Sequence, residues 1–483
     1  MAVLATISCS HPSSSGTAGV SGASPNWQNL DLQTDGVFGI STEKVYAQLL
    51  NNKKADTVVV AVIDSGIDTL QEDLRPVLWT DPADGSHGRN FIGPETGKED
   101  FIPMLAGATN APGYRRTLND YNFHVNRLHT YISQWMEAKR ILEQIVNHIG
   151  KAHPSPEDLK TYQPRNPNER RILDLVLERL SWYPDFDQLK FGEVDHLIDL
   201  GQYHLQHGLN RDRTAPDTAF SAQTAHPAGV NADVSNDAMG FTADPSGAEH
   251  GTMVSGIIAA VRNNGKGIDG IDDHARIMTL KLSGNIREMR NDDLAPAIRY
   301  AVDHGARVIS MSFGKTFSWH RDAVDSTVQY AMSRNVLLVH AAGNNGMDLD
   351  VDSNSFFPSP AYRHGGVASA WITVGASGYR DDSTLAAPFS NYGRKSVDVF
   401  APGVQITSII PHSGLVTWDG TSEATPIVAG LAALIWSYYP RLTAVQVKEI
   451  IMQSVVKTKW LENKCKTGGV VNAYNALKLA AEK

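Results

Sequence analysis

The sequence predicts an α/β protein: a mostly parallel sheet flanked by helices, with an α-helical insertion in one loop. Three observations carry this. Continuous β-branched or apolar runs recur along the chain, helical patterns separate several of them, and one long segment shows only a helical period. Runs of the first kind suit strands buried on both faces. Their alternation with helices suits parallel pairing with helices on both faces of the sheet.

The first run, "TVVVAVID" (57–64), ends in an acid before a glycine turn. Others follow at "ARIMTLKL" (275–282), "RVISMSF" (307–313), "VLLVHAA" (336–342) and "WITVGA" (371–376). Helical patterns lie between them at 292–305 and 320–335. In parallel sheets of this kind, sites form at the carboxyl ends of strands, so the residues just after each run are the ones to inspect. Between about 103 and 212 the alternation stops. Tyr121, Val125, Leu128, Ile132, Trp135, Leu142, Ile145 and Ile149 follow one helical stripe, and further helical stretches cover 168–182 and 192–208. The expected layout is a leader and tether at 1–26, the first part of the α/β domain at 27–102, the helical insertion at 103–212 and the rest of the domain at 213–483.

Bulk properties narrow the function classes. The chain has 483 residues, 42% hydrophobic and 20% charged, with a formal charge of −9. That charge argues against a generic nucleic-acid binder, and nucleic acid is not an expected partner. Two cysteines, Cys9 and Cys465, make neither a disulfide framework nor a four-thiolate metal site. No apolar run is long enough to span a bilayer. His204 and His207 are spaced i, i+3 in the insertion, but no HExxH pattern accompanies them, so no metal ligands are assigned. Neither a Walker A sequence nor a dinucleotide glycine fingerprint occurs.

"MAVLATISCS" is small and apolar up to Cys9, and "SHPSSSGTAGVSGASP" reads as a flexible tether. This resembles the tail of a lipoprotein signal peptide. The resemblance implies export to the cell envelope or medium and a lipid anchor at Cys9, against the plain alternative of an unstructured cytoplasmic leader.

Three places could carry chemistry. "AVIDSGID" holds Asp64 at a strand end, where a capping acid, a ribose-binding acid or a phosphotransfer acid fits equally well. "AEHGTMVSGIIAAV" holds His250 before a helix whose Gly251, Ser255, Gly256 and Ala259 permit close packing; alone, it reads as a structural histidine. "GTSEATPIVAG" (420–430) is an unusual helix start. Pro426 lacks an N–H, which leaves the Ser422 carbonyl without its helical partner. A hydroxyl at a helix N-terminus, however, lies beside backbone N–H groups and the positive dipole end.

Together, "VIDSGID", "HGTMVSGIIAA" and "GTSEATPIVAG" resemble the three signature blocks of the subtilisin-like serine proteases, in that family's order Asp, His, Ser. The resemblance implies a three-layer subtilisin-like fold and a serine endopeptidase acting through an acyl-enzyme. In it Ser422 is the nucleophile, His250 the general base and then acid, and Asp64 the carboxylate that orients the imidazole. "LLVHAAGNNG" implies Asn344 as the oxyanion donor. Ser312, Phe313 and Gly314, with Ala342 and Gly343, are implied as substrate-binding backbone. The expected partner is an extended polypeptide, bound by a monomeric protein. No cofactor is expected for the chemistry; the family's structural calcium makes the acids of "MDLDVDSN" (347–354) a candidate loop. A catalytically silent relative serving as a binding or scaffold module is the alternative. Gln71, Met253 and Glu423 depart from the family pattern. Glu423, directly after the nucleophile, is expected to add negative charge that disfavours acidic residues around the cut.

Overall fold

The computed structural model describes residues 24–91, 133, 135–179, 186, 190, 232–233 and 248–483, the last range without 283–290, 316–320, 352, 353 and 355. The chain divides into two compact units, one built from 17–94 with 226–483 and the other from 95–225.

The larger unit is a three-layer α/β structure. Its strands are β1 (Val58–Asp64), β2 (Gly88–Asn90), β3 (Ala232–Asp233), β4 (Ala275–Lys281), β5 (Val308–Met311), β6 (Leu337–Ala341), β7 (Trp371–Ser377), β8 (Val399–Pro402), β9 (Ile406–Ile410), β10 (Gly414–Trp418), β11 (Val456–Lys457) and β12 (Gly469–Val470). One sheet runs β11-β12-β8-β7-β6-β5-β1-β4-β2-β3, while β9 and β10 form a separate antiparallel pair. Among the described residues, only the outermost pairs of the large sheet, β11–β12 and β2–β3, are antiparallel.

Side-chain alternation along the strands feeds two cores. Val58, Val60 and Val62 of β1 join a core with the helices Glu249–Ala259 and Thr421–Tyr438. Ala61 and Ile63 face the other way, into a core with the helices Asn291–Asp303 and Asp322–Ser333. A strand covered on both faces needs apolar residues at every position, which is why β1 reads as an unbroken run. The helix Thr421–Tyr438 is apolar all round because it is buried all round, with Ile427, Leu431, Leu434 and Trp436 wholly inaccessible.

This topology positions the site. Because β1, β5 and β6 are parallel neighbours, their carboxyl ends share one edge of the sheet. Asp64 ends β1, Ser312–Gly314 follow β5, and Ala342–Asn344 follow β6.

The second unit has its own small core. A helix over 135–149 packs Ala138, Ile141, Leu142 and Ile145 against Leu159 of the helix Pro156–Thr161 and Ile172, Leu173 and Val176 of the helix Pro167–Arg179. Ser155 and Asp158 form a reciprocal capping box at the start of Pro156–Thr161. The expected helix over 192–208, with His204 and His207, lies outside the described residues, as do Tyr121, Val125, Leu128 and Ile132 of the stripe.

Candidate active site

Asp64 and His250 stand 186 residues apart in sequence yet share a hydrogen bond, His250 Nδ1 to Asp64 Oδ1 at 2.7 Å. Glycine makes the approach possible. A β-carbon at Gly251 would lie 1.9 Å from the carbonyl oxygen of Gly66, so only glycine lets the His250 helix start against the turn after β1. The Gly251 N–H also donates to Ser65 Oγ, and the Asp68 N–H donates to Thr252 Oγ1. Asp64 is buried, and Oδ1 also accepts the Ser65 N–H at 2.7 Å. The ring of His250 lies beside Trp418, centroids 6.0 Å apart at 24°.

Ser422 sits in the first turn of Thr421–Tyr438. Its hydroxyl donates to the Ser312 carbonyl at 3.0 Å, not to His250, and the Ser312 hydroxyl returns a bond to the Ser422 carbonyl at 2.9 Å. That second bond resolves the helix start. The carbonyl that Pro426 leaves without a helical donor receives one from the strand end across the sheet edge. A buried carbonyl without a partner costs about 1–3 kcal/mol, so this reciprocal pair is what tolerates the proline.

Asn344 is held by its oxygen: Oδ1 accepts from the Thr421 N–H at 2.9 Å and from Thr421 Oγ1 at 2.8 Å. Its amide nitrogen is thereby turned toward the space above Gly420. A β-carbon at Gly420 would meet Glu423 Oε2 at 2.5 Å and Asn344 Nδ2 at 3.3 Å. The loop carrying Asn344 is fixed by Asn391, wholly buried, whose Nδ2 donates to the Ala342 carbonyl. Asn391 Oδ1 accepts from the Asn345 and Met347 N–H groups.

The model of the Subtilase family matches residues 55–474. The chain belongs to that family. Among similar proteins is the thermophilic serine proteinase of Bacillus sp. (strain AK1), 37% identical over 228 residues, which are 47% of this chain and 52% of that protein. Thermitase of Thermoactinomyces vulgaris is 35% identical over 237 residues, 48% of this chain and 76% of its own. A solved structure of the subtilase cytotoxin SubAB is 27% identical, covers 49% of this chain and 78% of that one, and has a TM-score of 0.44. This subtilase spans about half the length of the Bacillus proteinase, and its match covers 21% of the cell wall-associated protease of Bacillus subtilis (strain 168).

Two ionisable groups of the subtilase site are displaced from their ordinary behaviour. Burial works against the charged form of His250, but the charge and hydrogen bond of Asp64, with a smaller push from Glu423, raise its pKa from 6.5 to about 9. Glu423 is 2% exposed. Burial raises its pKa from 4.5 to about 7, against the downward pull of His250. The carboxyl is therefore mostly neutral in mildly acidic solution and takes on the expected negative charge as pH rises through about 7.

Gln71 and Met253 have structural places. The Gln71 side-chain oxygen Oε1 accepts from the Asp73 and Leu74 N–H groups, and Met253 lies in the core. In the 347–354 loop, Asp350 accepts from the Lys395 and Ser396 N–H groups and Asp348 from the Asp350 N–H. These carboxylates accept backbone amides, and Asp352, another acid of the candidate calcium loop, is outside the described residues. Cys465 is a buried free thiol whose pKa burial raises, which makes it inert. Cys9 lies outside the described residues, and among those described no helix is long and apolar enough to cross a membrane.

Sequence reasoning missed Asn391, Trp418, His340 and Phe356. Asn391, Trp418 and Phe356 lie outside the three signature blocks and the 337–346 stretch, and His340 lies within that stretch. His340 follows an ordinary strand pattern, yet it is a buried histidine whose Nε2 donates to the Phe313 carbonyl at 2.8 Å. Burial lowers its pKa to about 3, so it acts as a neutral donor.

Proposed function

We propose that this subtilase is a serine endopeptidase that hydrolyses peptide bonds through an acyl-enzyme. The observation that carries the reading is the 2.7 Å bond between Asp64 and His250, formed at the sheet edge beside the helix start that bears Ser422. A peptide strand lies along Ser312–Gly314, opposite Ala342 and Gly343, with its scissile carbonyl at Ser422. The Ser422 hydroxyl rotates away from the Ser312 carbonyl to face His250 Nε2. Its oxygen attacks the carbonyl carbon as the proton passes to Nε2. Asp64 fixes the tautomer with Nδ1 protonated and stabilises the imidazolium that forms. Oxyanion charge develops toward Asn344 Nδ2 and the Ser422 N–H, in line with the helix dipole. Collapse expels the amine, which takes the proton from His250. A water then repeats the sequence on the ester and releases the acid.

The reading extends to location. A relative named as cell wall-associated supports export, and the small, apolar leader ending at Cys9 supports a lipid anchor at that cysteine.

The test is covalent labelling by a fluorophosphonate, with the modified residue located by mass spectrometry. Labelling at Ser422 that disappears in Ser422→Ala supports the endopeptidase. No labelling, with intact folding, supports a silent binding module instead.

A further inference from the structure

The two backbone segments assigned above to the substrate each carry a glycine, and both glycines face one aromatic ring. A β-carbon at Gly314 would lie 2.2 Å from Cε1 and 2.4 Å from Cζ of Phe356. One at Gly343, whose φ of +96° already favours glycine, would lie 2.8 Å from Cε2 and Cζ of the same ring. Those distances are far inside van der Waals contact. The ring therefore rests against both glycines and spans the gap between the segment after β5 and the segment after β6.

The ring is held there. Its centroid is 5.6 Å from that of His340, which is itself 5.4 Å from Trp371. The next residue, Phe357, is buried and exchanges two backbone hydrogen bonds with Lys315, at 2.9 and 2.7 Å. That exchange ties the Phe356 segment directly to the edge strand. Asn391 fixes the opposite wall through the Ala342 carbonyl.

The gap is where a substrate side chain must go. A strand paired along Ser312–Gly314, with its carbonyl aimed at Asn344 and Ser422, directs the side chain of that same residue between the two glycine-bearing walls. Glycine at 314 and 343 leaves room for it, and the phenyl ring has taken that room. A second large side chain cannot share it without overpacking.

We propose that Phe356 is a specificity-determining residue that closes the space for the side chain on the acyl side of the cut, restricting cleavage to bonds that follow glycine, alanine or serine. The inference rests on the serine endopeptidase reading and names its substrate class.

The test measures kcat/KM on tetrapeptide p-nitroanilides differing only in the last residue, Ala, Leu or Phe, with reactive serine counted by a fluorophosphonate in each sample. The wild-type chain is expected to prefer Ala over Phe by at least about 10-fold. Phe356→Ala is expected to raise the rate on the Phe substrate by about 10–100-fold and to change the Ala substrate little, the range expected when a pocket gains or loses a few carbons. Phe356→Leu, a milder change, is expected to fall between them. Wild-type protein that cleaves after Phe as well as after Ala overturns the proposal, as does a fluorophosphonate-reactive Phe356→Ala that keeps the wild-type preference. Those outcomes leave the endopeptidase reading standing. A folded chain that takes up no fluorophosphonate and cleaves none of the peptides ends both.

Discussion

Replacing Glu423 by Gln tests the electrostatics of the site without touching the triad. Below pH 4.5 the carboxyl is protonated in both folded and unfolded chains, and it contributes no pH dependence. Between pH 4.5 and about 7 the unfolded chain has lost the proton while the folded chain keeps it, so folding becomes less favourable with each step upward. The full penalty is present above about 7. A rise from 4.5 to about 7 corresponds to about 3 kcal/mol, at about 1.4 kcal/mol per pKa unit. Gln occupies the same volume and never ionises. Urea unfolding of both proteins, in a Ser422→Ala background that prevents self-digestion, gives the comparison at pH 4 and pH 7.5. Glu423→Gln is expected to gain up to about 3 kcal/mol on the parent between the two conditions. His250 offsets part of that gain: its folded pKa is raised, so its stabilisation is full below pH 6.5 and fades as pH rises through about 9 in the parent, and at somewhat lower pH in Glu423→Gln, which lacks the push from Glu423. A stability difference that does not change with pH, or a parent that gains on the variant as pH rises, refutes the argument.

The raised pKa of His250 places the acid limb of kcat/KM on the alkaline side, because only the neutral imidazole accepts the Ser422 proton. Glu423→Gln is expected to move that limb to lower pH in a pH–rate profile, modestly, since Asp64 is the larger influence. Asn344→Ala is expected to lower kcat by about 10²–10³ with KM nearly unchanged, read from peptide hydrolysis; a KM effect alone would assign Asn344 to substrate binding. Ser312→Ala removes the donor that serves the Ser422 carbonyl, and is expected to destabilise the fold by about 1–3 kcal/mol in urea unfolding.

The parallel sheet was legible because its central strands are covered on both faces. The run ending at Asp64 matches Val58–Asp64 to within a residue, and the runs at 275–282, 336–342 and 371–376 are similarly close. The strands β8 to β12 went unread, being two to five residues long and set among turns, where burial cannot impose a recognisable period. The Asp64, His250 and Ser422 blocks were readable because glycine and a hydroxyl residue sit close to each of them, with a proline besides in the Ser422 block. What pairs with the Ser422 carbonyl was not, since its donor lies 110 residues away and depends on strand order. Phe356 was invisible for the same reason: its role comes from two glycines, in the segments after different strands, meeting one ring. Glu423 was seen, but the pH at which it charges was not, because burial, which a sequence does not display, sets it.

The central claim is that Asp64, His250 and Ser422 work as one proton-transfer unit, and the kinetics of combined substitutions test it most directly. If they do, Ser422→Ala alone, His250→Ala alone and the triple Asp64→Ala, His250→Ala, Ser422→Ala should fall to about the same residual kcat, about 10⁶-fold below the parent. Losses that multiply from one substitution to the next, or a His250→Ala chain that keeps most of its activity, would contradict it.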